Sequence, residues 1–221
     1  MARLALCSDL HIEFGAYTPP PLDADLVLLA GDVDTKGRCG RWGDAEAVFG
    51  APVVAVLGNH EHYGDKIERS LDRMRPRAAA QGLTLLENEA VVVAGVRVLG
   101  CTLWTDFNLF ADGDLDQIKR DAGLCVGDYY RGGINDFRHI RVACDGYRRL
   151  RPVDTARLHA ASVEWLRARL AEPFAGPTVV LTHHAPSIRS LPPAWRLDRK
   201  RYERTLSVVG GVIAWICTGA P

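Results

Sequence analysis

Along the chain, short runs of consecutive apolar residues alternate with polar loops and with longer stretches of helical period. RLALCS (3–8), DLVLLA (25–30), PVVAVL (52–57), VVVAG (91–95), VRVLGC (96–101), TVVLT (178–182) and VIAWI (212–216) are predicted strands. Several are apolar throughout, as strands covered on both faces are. Residues 65–81 and 155–171 are predicted helices; in the second, Ala156, Val163, Leu166 and Leu170 form one apolar stripe. Pro76 is expected to break or bend the first near its middle. Strands alternating with helices make an α/β domain. Between about Thr105 and Asp154 the pattern dissolves into polar sequence that includes ADGDLDQIK (111–119) and YYRGGINDFRHIR (129–141). Such a stretch reads as a functional loop or cap. A chain of 221 residues without internal repeats is expected to form one domain over 1–221, with the cap at about 105–154.

Composition narrows the partners. Lys+Arg and Asp+Glu both number 27, so the formal net charge is zero and no global field draws the chain toward nucleic acid or anionic lipid. The six cysteines are scattered without a Cys-x-x-Cys pair, which fits reduced thiols in a cytoplasmic protein. The first apolar run is too short for a signal peptide, and no stretch approaches the roughly 20 apolar residues of a membrane span. Oligomeric state is not readable.

Four predicted strands run into metal-binding residue types: Asp9 and His11 after the first, Gly31-Asp32 after the second, Gly58-Asn59-His60-Glu61 after the third, and His183-His184 after TVVLT. Ligands gather beyond the carboxyl ends of strands in such sheets, so the four sets can converge. In extended backbone Asp9 and His11, two apart, project to one side. Gly31 and Gly58 let the chain pass close to an ion or phosphate where a Cβ would obstruct. Asp32 has two oxygens with which to bridge two cations, and Asn59 offers a neutral carbonyl. Imidazole, carboxylate and amide together suit Mn²⁺, Fe or Zn²⁺. Singly, Asp-x-His and Gly-Asp are common turn sequences; in this order, after these strands, they describe a two-metal hydrolase.

The quoted stretches SDLH (8–11), AGDV (30–33), GNHE (58–61) and THHAP (182–186) resemble the calcineurin-like metallophosphoesterase superfamily. The resemblance implies a four-layer α/β/β/α sandwich with two mixed sheets. It implies Asp9 and His11 on one divalent metal, Asn59 and His183 on the other, and Asp32 bridging. It also implies that His60 assists the phosphate or leaving group without binding metal. Glu61 is expected to anchor its loop; His62, His139 and His159 receive no role. Arg138 and Arg141 are candidate substrate contacts, alternatively solvated or paired with Asp136 and Asp145, and His184 is a further candidate. NDFRHIR (135–141) is similar to a segment of bacterial members of the superfamily, with no role to transfer. The basic run RLDRKRYER (196–204) is a candidate contact for a polyanion, alternatively and preferably an exposed helix or loop.

The family's fifth motif, Gly-His-x-His, is absent. Trp215-Ile216 are expected to end the strand that delivers it, but the ligand positions fall on Gly219 and Pro221, or on Ala220 with none beyond, and no histidine follows His184. Cys217 stands at the wrong point to replace them. A truncated C-terminal end, a partner-completed or inactive relative, and a shifted reading frame all remain open. The expected activity is hydrolysis of phosphomonoesters or phosphodiesters at a dinuclear centre, on a small phosphorylated substrate, with activity impaired by the missing motif. The alternative is a non-catalytic phosphate- or nucleotide-binding relative.

Overall fold

The computed structural model describes residues 2–36, 38, 40–108, 135–143 and 146–190, together with the strand backbone of residues 210–217. Residues 111–119, the run 196–204, Asp145, Gly219, Ala220 and Pro221 lie outside the described residues.

One sheet holds β1 (Leu4–Cys7), β2 (Leu26–Leu29), β3 (Val53–Val56) and β4 (Leu83–Leu86), in that order and all parallel. The second holds β5 (Glu89–Val93), β6 (Val96–Cys101), β7 (Thr178–His184) and β8 (Gly210–Cys217), with only β6–β7 parallel. The expectation of two mixed sheets is therefore corrected for the first. Parallel neighbours need a crossover, and α1 (Ala45–Phe49) and α2 (Ile67–Ala79) supply it between β2 and β3 and between β3 and β4.

The period of two along the strands sorts their side chains into two cores. Val27, Leu29, Val53 and Ala55 pack with Ala45, Phe49, Met74 and Ala78 of α1 and α2. Leu26, Leu28, Val54 and Val56 face Val96, Val98, Val179 and Leu181 of the second sheet. A strand buried on both sides has no polar face to spare, which is why β2 and β3 read as unbroken apolar runs.

Helix α2 continues through Pro76, so of the expected break or bend the break does not occur. Buried Met74 and Ala78 flank the proline and tie that last turn to the core, so packing outweighs the lost backbone hydrogen bond. Strand β4 and helix α1 were not foreseen: LTLL and AEAVF are too short for periodicity to show. Helix α1 is bounded instead by its caps, Asp44 accepting from the Ala47 N–H at 3.1 Å and Gly50 closing the other end at φ 75°.

Two further α-helices follow, the short α3 (Asp136–His139) and the 19-residue α4 (Pro152–Leu170). Around α3, Phe137, Ile140 and Val142 pack with Trp104, Phe107 and Leu150, and Tyr63 and Ile67 join the same cluster. Backbone bonds from Gly64 N–H to the His139 carbonyl (3.0 Å) and from Ile67 N–H to the Arg141 carbonyl (2.9 Å) fasten this part of the expected cap beside the third strand end. Among the described residues no helix is long and apolar enough to cross a membrane.

Candidate metal centre

The loops after β1 and β2 continue the pairing of their strands: Asp9 N–H bonds the Gly31 carbonyl at 3.1 Å and His11 N–H bonds the Asp32 carbonyl at 3.0 Å. The expected extended geometry at Asp9 and His11 is corrected, however. Asp9, His11 and Asp32 adopt φ of 53°, 44° and 52°, a left-handed conformation uncommon for residues with a Cβ. Backbone of this kind persists where surrounding contacts over-determine it, and it gathers at functional sites.

Gly31 and Gly58 serve a close approach, though to each other and to Asp32. A Cβ on Gly31 would lie 2.8 Å from His183 Nδ1 and against the Gly58 backbone, and one on Gly58 would overlap the Asp32 carboxylate. Glu61 locks the same corner, its carboxylate accepting from the N–H groups of Gly58 (2.7 Å), Asp32 (3.1 Å), Val33 (2.7 Å) and Asp34 (3.2 Å). It is an anchor that satisfies buried backbone donors.

At the centre lies Asp32, buried, with each oxygen toward a different imidazole. Oδ1 is 3.6 Å from His183 Nε2 and accepts from the His60 N–H at 2.9 Å; Oδ2 is 3.8 Å from His11 Nε2 and 4.0 Å from His60 Nε2. Asp9 Oδ1 is 3.9 Å from His11 Nε2. Asp9, His11 and Asp32 thus form one cluster able to hold an ion.

The other side is more tightly determined. His183 Nδ1 lies 2.8 Å from the Ala30 carbonyl oxygen, which only accepts, so Nδ1 carries a hydrogen, and a ring with that one hydrogen presents a bare lone pair at Nε2. Asn59 Nδ2 donates to Asp136 Oδ1 at 2.7 Å and to the Tyr63 hydroxyl at 3.3 Å, which leaves its carbonyl oxygen 3.0 Å from that lone pair. Two electron-pair donors face each other, with an Asp32 oxygen beside them. A cation between them would satisfy all three, so the residues present fit a bound metal.

Burial drives the electrostatics. It pushes the carboxyls of Asp32 and Glu61 well above the usual range, and Asp136 up to about 6 against the hydrogen bonds it accepts. The same loss of solvent lowers His60 against the pull of Glu13, and takes His62 down to about 4 and His184 to about 3. Carboxylates crowded without compensating charge are what a divalent cation neutralises.

Sequence reasoning missed Glu13 and Asp136. Glu13 Oε1 accepts from His11 Nδ1 at 3.2 Å and from His60 Nδ1 at 3.1 Å, holding both rings with Nε2 toward Asp32. The alternation Asp9, His11, Glu13 was the available signal. The His60 ring stacks on Tyr63 with centroids 4.3 Å apart.

The structure does not bring the candidate substrate contacts into this cluster. Arg138 is exposed. The Arg141 guanidinium lies 5.9 Å from the Tyr147 ring centre, and the expected alternative partner Asp136 is engaged by Asn59 and Tyr63. His184 is buried, stacked on Trp104 and bonded through Nδ1 to the Thr102 carbonyl at 3.1 Å. The expectation that Trp215-Ile216 lead toward the centre is corrected: β8 runs antiparallel to β7, with Gly210 opposite His184 and Cys217 opposite Thr178, at the far end of β7.

Comparison with curated proteins gives no match. The family model for calcineurin-like phosphoesterases, whose members typically hydrolyse phosphoester bonds with divalent metals, matches residues 2–218. With that match over nearly the whole length and with candidate metal-ligand groups at the strand ends, the chain belongs to the calcineurin-like phosphoesterase family.

Proposed function

We propose that the chain is a hydrolase of small phosphate esters with a dinuclear metal centre held by Asp9, His11 and Asp32 on one side and Asp32, Asn59 and His183 on the other. The observation that carries this reading is the apposition of His183 Nε2 and Asn59 Oδ1 at 3.0 Å, two lone pairs with no hydrogen between them in the neutral ring. The division of the Asp32 oxygens between His183 and His11 supports a bridging role. Mn²⁺, Fe and Zn²⁺ each suit this donor set. Contact of buried Ser162 on α4 with Cys101 on β6 supports a helix outside the second sheet, and so a four-layer arrangement.

A bound metal pair supplies charge neutralisation at phosphorus and an activated water. The protein's own residues do the rest. Glu13 keeps the hydrogen of His60 on Nδ1, so Nε2 is the atom that exchanges a proton at the site. In the imidazolium form Nε2 donates to the leaving oxygen. Tyr63 supports the ring from one face, and the half-exposed Asp9 and His11 leave that side open to substrate. Zero net charge favours a small substrate over a nucleic acid.

The test is to strip the purified chain with chelator, reload it with Mn²⁺, and measure bound metal and turnover of p-nitrophenyl phosphate and bis(p-nitrophenyl) phosphate. Two equivalents bound and turnover only after loading are expected. No bound metal and no turnover would overturn the reading. Nucleotide retained without turnover would replace it with a phosphate-binding role.

A further inference from the structure

The stretch NDFRH (135–139) contains a group that acts on the metal centre from a distant part of the chain. We infer that Asp136 is a positioning residue that turns the Asn59 carboxamide so that its oxygen, and not its nitrogen, faces His183. The inference rests on the metal-binding reading above and adds to it the residue on which one donor depends.

A carboxamide can occupy its site in two orientations of nearly equal shape. Turned one way, Asn59 offers an oxygen to whatever lies at His183 Nε2. Turned the other way, its NH₂ would donate directly to the Nε2 lone pair, a good hydrogen bond in the metal-free chain that would occupy both donors. Something must penalise the second arrangement. Asp136 Oδ1 does so by accepting from Asn59 Nδ2 at 2.7 Å, because the turned amide would set oxygen against a buried carboxylate oxygen at that distance. Tyr63 reinforces the choice, its hydroxyl donating to the same Oδ1 at 2.7 Å while accepting from Asn59 at 3.3 Å. Asp136 is 2 % exposed, and its Oδ2 has no hydrogen-bond partner among the described residues. Its demand for donors falls on Asn59 and Tyr63. The Tyr63 ring stacks on His60, so the same carboxylate also steadies the proton-exchanging imidazole.

Packing around α3 makes this possible. Phe137 and Ile140, buried with Trp104 and Leu150, seat the first turn of the helix so that Asp136 points at Asn59, 77 residues earlier in the chain.

The test uses Asp136→Asn, which keeps the shape but lets residue 136 satisfy either orientation of Asn59, together with Asn59→Asp and the double variant. Mn²⁺ binding to each chelator-stripped chain is titrated, and thermal unfolding of the metal-free chains is followed alongside. Asp136→Asn is expected to weaken one of the two binding steps by about 10-fold or more, in the range for groups that orient metal ligands. In the Asn59→Asp background both oxygens are equivalent and no orientation is left to enforce. There the same change is expected to leave Mn²⁺ binding unaltered or to strengthen it, since it removes a carboxylate pair. This reversal is the signature of positioning, because a merely structural loss would weaken binding in both backgrounds. Wild-type affinity in Asp136→Asn, or equal weakening in the two backgrounds, overturns the inference. A wild-type chain that binds no Mn²⁺ overturns the metal-binding reading and this inference with it, and is distinguished by its flat titration.

Discussion

The two halves of the candidate centre are built differently. On one side, His183, Asn59 and Asp136 are buried, and the nitrogens are assigned by their neighbours: a carbonyl for His183 Nδ1, a carboxylate and a phenol for Asn59 Nδ2. On the other, the Asp9 and His11 side chains remain 33 % and 28 % exposed, held by left-handed backbone and by Glu13. The buried half is set before any ligand arrives, because an unassigned polar atom there would cost more than the network that assigns it. The open half can afford residual freedom, since water completes its hydrogen bonds. Under the proposed function, substrate access and ligand exchange are assigned to that side.

The strongest challenge to this contrast is Glu61→Ala, which strands four buried N–H donors beneath the closed half. Loss of roughly 3–5 kcal/mol in urea unfolding is expected; a change below 1 kcal/mol would show that the corner is not closed. Asp32→Asn should lower Mn²⁺-dependent turnover by more than about 100-fold, because it touches both halves. It should also raise the unfolding temperature of the metal-free chain by removing a buried charge. A fall in that temperature would contradict the crowding of carboxylates.

Acid sensitivity belongs to the closed side as well. His62 is neutral in the fold, lowered by burial to about 4 from 6.5. Its contribution is fully present above pH 6.5 and is lost as pH falls toward 4, because the unfolded chain binds the proton first. His62→Gln should therefore recover on the order of 2–3 kcal/mol of the stability lost between pH 7 and pH 4.5, and unchanged acid sensitivity would remove His62 from the account. The smallest effect is expected on the open side. Glu13→Gln should slow turnover about 10-fold for an alkyl phosphate, whose leaving oxygen needs a proton, and less for p-nitrophenyl phosphate. The limb of the pH profile set by His60 should move to lower pH, since Glu13 raises that histidine. Equal slowing of both substrates would reduce Glu13 to packing.

Much of this was legible in order but not in geometry. The residues after β1, β2 and β3 stood out because metal-binding types followed unbroken apolar runs, and β7 carried His183 and His184 just beyond its predicted end, although the strand itself extends through both. Glu61 was legible as an anchor, since a carboxylate beside Gly58 and Asn59 has backbone donors to satisfy. Asp136 was not, because nothing near it in sequence announces a partner 77 residues away. At Pro76 the helix does not break, because a local rule about helix breaking takes no account of Met74 and Ala78 in the core.

The amino-acid sequence by itself pointed to the buried strands β2, β3 and β7 and to the ligand types at strand ends, since period and composition act within a few residues. Only the tertiary structure decided strand direction and atom identity. Antiparallel pairing turned β8 so that Cys217 lies beside Thr178 and not beside His184. Burial against Asp136 selected which atom of Asn59 faces His183. Both depend on contacts between distant segments, where the cost of an unpaired buried polar group decides between arrangements that local sequence leaves equal.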